Sequence, residues 1–271
     1  MNSGQIKFGI PEEWRAFQER HPKLIEKLKL LFGTLEKIFI REMEVEELSS
    51  RVIFFLGRLA IEDFMEILLL CGNGYGIGGM KLLRGLYERC VTLGYIAKNP
   101  DKADDFYDYH HIHIGKFFNH AKEHFNKHLS QNEIAQIQDN YKKTKEKYRE
   151  TICTKCGTSR VMMSWSKLDL LSMAREAGLD DIYWQCYLVP TLQAHATMSS
   201  LIYRLKARED GGLSFIEGAQ HDKVDMTLIA AHNVMLHIIA IINDYFKMGL
   251  EKEIEERFAD FKFIWKKENA L

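Results

Sequence analysis

Only four prolines interrupt 271 residues, and between them apolar side chains recur every three or four positions over stretches far longer than a strand. From Val45 to Cys71, an apolar face is written by Val52, Ile53, Leu56, Leu59, Ala60, Phe64, Ile67 and Leu68. A second face is written by Leu82, Leu83, Leu86, Tyr87, Val91, Leu93 and Ile96, and stops before Asn99-Pro100 because the residue before proline is pushed out of the α region. A chain patterned this way folds by packing helices against one another.

The spacing predicts an all-α, single-domain bundle of about eight to ten helices over residues 1–271. Its segments at 45–71, 79–98, 101–129, 180–207 and 223–248 form the bundle. N-terminal helices within 12–43 pack on a core spanning 45–207, and C-terminal helices lie within 223–267. Pro11 and Pro22 open the first two helices, where a missing N–H costs nothing. Asp101 is expected to cap the helix it precedes, with Asp104 and Asp105 at that helix's positive end. The segments 131–150 and 166–177 read as further helices. An irregular, cysteine-containing loop is expected near 151–163, and the glycines of 208–222 read as a loop with a short hairpin.

Thirty-seven basic and thirty-eight acidic side chains nearly cancel, so the overall charge demands no polyanionic partner. The five cysteines are odd in number and mostly lie in apolar helical patterns, which points to a reducing cytoplasm. The N-terminal residues lack a charged start followed by an apolar run, and the apolar stretch Ile229 to Ile242 is broken by His232, Asn233 and His237. Neither a signal peptide nor a membrane span is expected.

Six of eleven histidines fall between His110 and His128. His110, His113, His120, His124 and His128 make one stripe on a helix, where several imidazoles could meet a metal, a phosphate or a proton. His120-Ala121-Lys122-Glu123-His124 has the order of inverted zinc peptidases, but the chain is shorter than such enzymes and lacks their α/β character. If any residues hold zinc, His120 and His124 are the central pair, with His113, His128, Asp105 or Asp108 supplying further ligands. One helix face presents at most two well-placed imidazoles, so neither a stoichiometric metal nor a cofactor is expected.

Cys153-Thr154-Lys155-Cys156-Gly157 is half of a zinc ribbon, which Cys186 or histidines would have to complete; otherwise it is a pair of loop thiols. GNGYGIGGMK has the glycine density of a phosphate loop, yet it follows a helix and lacks the closing Lys-Ser/Thr, so it reads as a turn between helices. Arg84 and Glu88 stand one turn apart on an otherwise apolar helix. An exposed pair at that spacing stabilises a helix by a few tenths of a kcal/mol, whereas a buried one implies further partners or a function.

Arg84 and Glu88, Leu93-Gly94-Tyr95-Ile96, Asn99-Pro100, Ser164-Trp165-Ser166, the Tyr183 to Tyr187 spacing and Ala194-His195-Ala196-Thr197 together resemble the bacterial family called domain of unknown function 5677, over roughly residues 50–205. The resemblance implies a cytoplasmic helical protein without an assigned activity. It groups Arg84, Glu88, Trp165, Tyr187 and His195. In a shared pocket, Arg84, Glu88 and His195 would be the catalytic residues, with Arg84 holding an anion and His195 acting as acid or base. Tyr109, His113, Trp165 and Tyr187 would bind a small anionic or nucleic-acid substrate, in bacterial defence or stress response. The other expectations are a non-catalytic helical interaction module, with these residues in structural roles, or a histidine-rich metal-binding protein; a homo-oligomer suits each of them. Helical ribonucleases place a histidine four to six residues after an arginine; here that spacing occurs only at Arg15 to His21, outside the family-like region.

Overall fold

The computed structural model describes residues 11–40, 46–219 and 221–266, and for Asp222 only the backbone. The expectations for residues 1–10, for helix ends near 43 and 45, and for 267 lie outside these. The all-α expectation holds: twelve α-helices, one 3₁₀ turn, one π-helical turn and two short antiparallel hairpins make up the regular structure of the described residues. The single domain expected over 1–271 is organised as two compact units, residues 1–98 with 173–271, and residues 99–172.

The first unit is built on α3 (Leu48–Gly72), α4 (Gly76–Lys98) and α11 (His221–Phe246). Their facing stripes supply its core: Ile53, Phe64 and Ile67 from α3, Leu83, Leu86 and Val91 from α4, and Val234, Leu236 and Ile239 from α11 are all but inaccessible. Each such side chain contributes roughly 1.5–3 kcal/mol by leaving water, which is why period 3.6 fixes these helices. By length and composition α11 could cross a membrane, but its apolarity is accounted for by burial between α3 and α4. The helices meet closely where glycine stands. A Cβ on Gly76 would run into the backbone of Lys223 and Val224, and the Gly76 carbonyl accepts a 3.1 Å hydrogen bond from the Thr227 hydroxyl. Gly74, at φ +78°, turns the chain out of α3. The glycine-rich segment is therefore a turn and a close helix contact.

Around these pack α1 (Pro11–Arg20), α2 (Pro22–Phe39) and α12 (Glu251–Trp265). A polar seam joins α2 to α12, with Glu253 accepting from Lys37 at 2.6 Å and from Thr34 at 2.8 Å. Residues 180–207, expected as one helix, form instead a 3₁₀ turn (Asp180–Ile182), a π-helical turn (Trp184–Leu188), α9 (Val189–Ala194), α10 (Met198–Ile202) and the strand β3 (Leu205–Ala207). Pro190 in the first turn of α9 removes a backbone donor, and Thr197 caps α10 by accepting from the Ser200 amide at 3.2 Å. The hairpin expected within 208–222 lies slightly earlier, with β3 paired to β4 (Leu213–Phe215).

In the second unit, α5 (Lys102–His120), α6 (Lys122–His128) and α7 (Gln131–Lys145) precede a hairpin of β1 (Arg149–Thr151) and β2 (Ser159–Val161). The helix expected over 101–129 breaks at Ala121, and Asp101 makes no side-chain cap. Ser130 caps α7 through a reciprocal pairing with Glu133. A small core of Tyr109, Ile112, Tyr148 and Met162 holds the unit together. The boundary between the units falls within α8 (Leu170–Ala177).

Candidate functional site

On α3, the residues turned away from the core are Arg51, Phe55, Arg58, Leu59, Glu62, Met65, Glu66 and Leu69. Spacings of three and four place them on one stripe, about 27 Å long at 1.5 Å per residue. Four are large and apolar, and Phe55 and Leu69 are each more than half exposed. Leu59, read from sequence as inward-facing, is 43% exposed. The charges are segregated, with Arg51 and Arg58 in the N-terminal half and Glu62 and Glu66 in the C-terminal half. Exposed apolar residues are usually scattered singly over a protein surface, whereas on α3 four of them stand in one row. The sequence signal was present but was overwritten: α3 is apolar on both faces, and only the charges at 51, 58, 62 and 66 mark which one is outside.

A second constellation surrounds Arg84 on α4. Its Nη2 lies 2.8 Å from Glu88 Oε1 and donates to the Tyr187 hydroxyl at 3.3 Å, while the guanidinium sits 5.1 Å from the Tyr187 ring centre. Both charged side chains are about a third exposed (31% and 38%), so water screens the pair and its contribution is a few tenths of a kcal/mol. Arg84 Nε is buried without a hydrogen-bond partner. Burial pushes the Glu88 carboxyl up, against the pull of Arg84 and Arg89. Tyr187 lies on the π-helical turn, its ring tilted against those of Tyr183 at 5.2 Å and Tyr87 at 6.5 Å, and the buried Tyr87 hydroxyl donates to the Leu179 carbonyl at 2.8 Å. Beside them Arg89 holds Asp63 through two bonds of 2.6 and 3.3 Å.

The remaining sequence-predicted residues are distributed elsewhere. His195 follows α9 and is exposed; among the described residues no hydrogen bond, ion pair or ring contact joins it to Arg84 or Glu88. Tyr109 and Trp165 belong to the aromatic core of the second unit, where Tyr109 donates to the Met162 carbonyl at 2.7 Å and Trp165 packs edge-on to Phe106 at 5.3 Å. His113 stands against the Tyr109 ring at 4.7 Å, and desolvation, aided by Lys116, lowers its pKa.

The histidine stripe runs over two helices, because the break at Ala121 separates His120 on α5 from His124 on α6. His124 and His128 lie with ring centres 4.5 Å apart. Asp105 and Asp108 are committed to Lys147, at 2.9 and 2.8 Å. Among the described residues no three His, Cys, Asp or Glu side chains are grouped to hold a metal. His21, of the Arg15–His21 spacing, packs on Phe17 and lies 3.2 Å from Asp225.

Fold and surface together define an all-α protein with an outward apolar helix face and a surface arginine–tyrosine cluster. The chain belongs to the family of unknown function DUF5677, whose model matches residues 51–213. No curated protein and no solved structure matches it. The matched span holds the α3 face, the Arg84 cluster and the Cys153–Cys156 hairpin.

Proposed function

We propose that this protein is a non-catalytic helical interaction module that pairs through α3 with a second copy of itself. The observation that supports this most directly is the charge-segregated apolar stripe from Arg51 to Leu69. Two copies crossing antiparallel about a two-fold axis near Ala60 bring together positions equidistant from that axis. Arg58 then meets Glu62 and Phe55 meets Met65, each contact occurring twice, as a two-fold interface requires. A parallel pairing would set like charges opposite each other. The apolar residues supply the attraction, and the charges set direction and register. A reducing cytoplasm suits the free thiols of such a protein. Sedimentation equilibrium of the full chain tests the reading: a dimer that Leu59→Glu converts to a folded monomer is expected, and a wild-type monomer at micromolar concentration overturns it.

A second reading, binding of a small anion or nucleic acid at Arg84, draws on the buried, unpartnered Nε and on the π-helical turn that carries Tyr187, a feature common at functional sites. The anion would displace Glu88 from the guanidinium, and Tyr187 would keep the planar group oriented. His195 would then have to approach from its exposed position to act as acid or base. Inorganic phosphate and short RNAs, scanned by thermal shift against wild type and Arg84→Gln, test it: ligand-dependent stabilisation lost in the variant supports it, and equal curves reject it.

A further inference from the structure

The five cysteines fall into two classes. Cys71, Cys90 and Cys186 are buried, and burial drives their thiols up, to about 12 for Cys71 and Cys186; they are inert filler. Cys153 and Cys156 stand instead at the tip of the β1–β2 hairpin, where Cys156 is exposed. The hairpin closes on one carbonyl: Thr158 O accepts from the amides of Ile152 at 2.8 Å and Cys153 at 3.2 Å. Thr154 and Lys155 form the turn between the two cysteines, and Gly157, at φ +70°, takes the left-handed conformation that redirects the chain into β2. Cys153 and Cys156 thereby flank one tight turn at the hairpin tip, and Cys156 Sγ lies 2.9 Å from the Thr158 hydroxyl.

We propose that Cys153 and Cys156 are a thiol–disulfide exchange site, with Cys156 the attacking sulfur and Cys153 the resolving one. The hydrogen bonds that Cys156 receives from the Thr158 hydroxyl and amide and from Cys153 hold its thiol down at about 7, so a large fraction is thiolate at neutral pH. That is near the optimum for attack, since nucleophilicity falls as a thiol becomes more acidic. The oxidant is a low-molecular-weight disulfide. The Cys156 thiolate attacks one of its sulfurs, forming a mixed disulfide and expelling one thiolate. Cys153 gives up its proton to the expelled thiolate and attacks Cys156 Sγ, which releases the second thiolate and closes the internal disulfide. The cysteine pair loses two electrons and the small disulfide gains them.

Full-length protein, reduced and freed of metal with a chelator, is treated with glutathione disulfide and followed by intact mass and peptide mapping. Wild type is expected to lose two hydrogens through a Cys153–Cys156 link. Cys153→Ser is expected to trap one glutathione on Cys156, and Cys156→Ser to react at least tenfold more slowly at neutral pH. The buried Cys71, Cys90 and Cys186 serve as internal controls, and circular dichroism verifies that both variants keep their helices. Three results overturn the proposal: a wild type that accumulates a stable glutathione adduct without the internal link, equal rates for the two variants, or a metal-free wild type whose pair does not react at all.

Discussion

His232 gives the sharpest stability prediction. It is 4% exposed on α11, Phe261 lies edge-on at 5.1 Å, and its Nδ1 accepts a 3.2 Å hydrogen bond from the Trp265 indole. Desolvation, only partly opposed by Asp260, lowers its pKa from 6.5 to about 4. A proton therefore binds the unfolded chain more tightly than the folded one. The contribution to stability is complete above the unfolded value and is lost as pH falls from about 6.5 towards 4. For one such group the loss between pH 7 and pH 5 is about 2 kcal/mol. In a chain of this length that lowers the melting temperature by about 2–4 °C for each kcal/mol lost. His232→Gln keeps an acceptor for Trp265 and cannot titrate. Thermal unfolding of both proteins followed by tryptophan fluorescence at the two pH values subtracts every other titrating group, His237 included. The wild type should lose about 2 kcal/mol more than the variant on acidification. Equal losses would refute the assignment of a buried, neutral His232.

Tyr87→Phe should cost about 1–2 kcal/mol in urea unfolding, because the Leu179 carbonyl loses its 2.8 Å donor in a buried setting; a change within error would show that water replaces it. Gly76→Ala should destabilise by roughly 1–3 kcal/mol, because its Cβ meets the α11 backbone rather than a movable side chain. A neutral or stabilising effect would show that α4 and α11 can separate freely. Elemental analysis of protein purified without a histidine tag and without chelator should find no stoichiometric metal; about one zinc, iron or manganese per chain, lost on replacing His120 and His124 with Ala, would overturn that expectation.

The long elements were legible because their apolar periods run for five or more turns: α3, α4 and α11 lie close to where the spacing puts them. The breaks were less so. Pro190 and Thr197 are ordinary helix-start signals inside the segment read as one helix, and they were outweighed by the apolar residues on either side. Nothing in the local sequence marks the break at Ala121, a good helix former. The Arg84–Glu88 pairing follows from i, i+4 spacing, but Tyr187 reaches it through a π-helical turn that no period encodes. Periodicity also gives the faces of a helix without saying which is covered, and for that reason the outward α3 stripe emerged only from the packing.

Charge reversal on that stripe separates pairing through α3 from its alternatives. Arg58→Glu and Glu62→Arg each place like charges across the proposed antiparallel contact, so each variant alone should sediment as a monomer with unchanged helical content. Mixed in equal amounts they should form a heterodimer. The carboxylate introduced at position 58 of one chain then faces the guanidinium introduced at position 62 of the other, and at the symmetry-related contact the unaltered Glu62 faces the unaltered Arg58. Dimers of either single variant, or a mixture that stays monomeric while the wild type dimerises, would contradict pairing through α3.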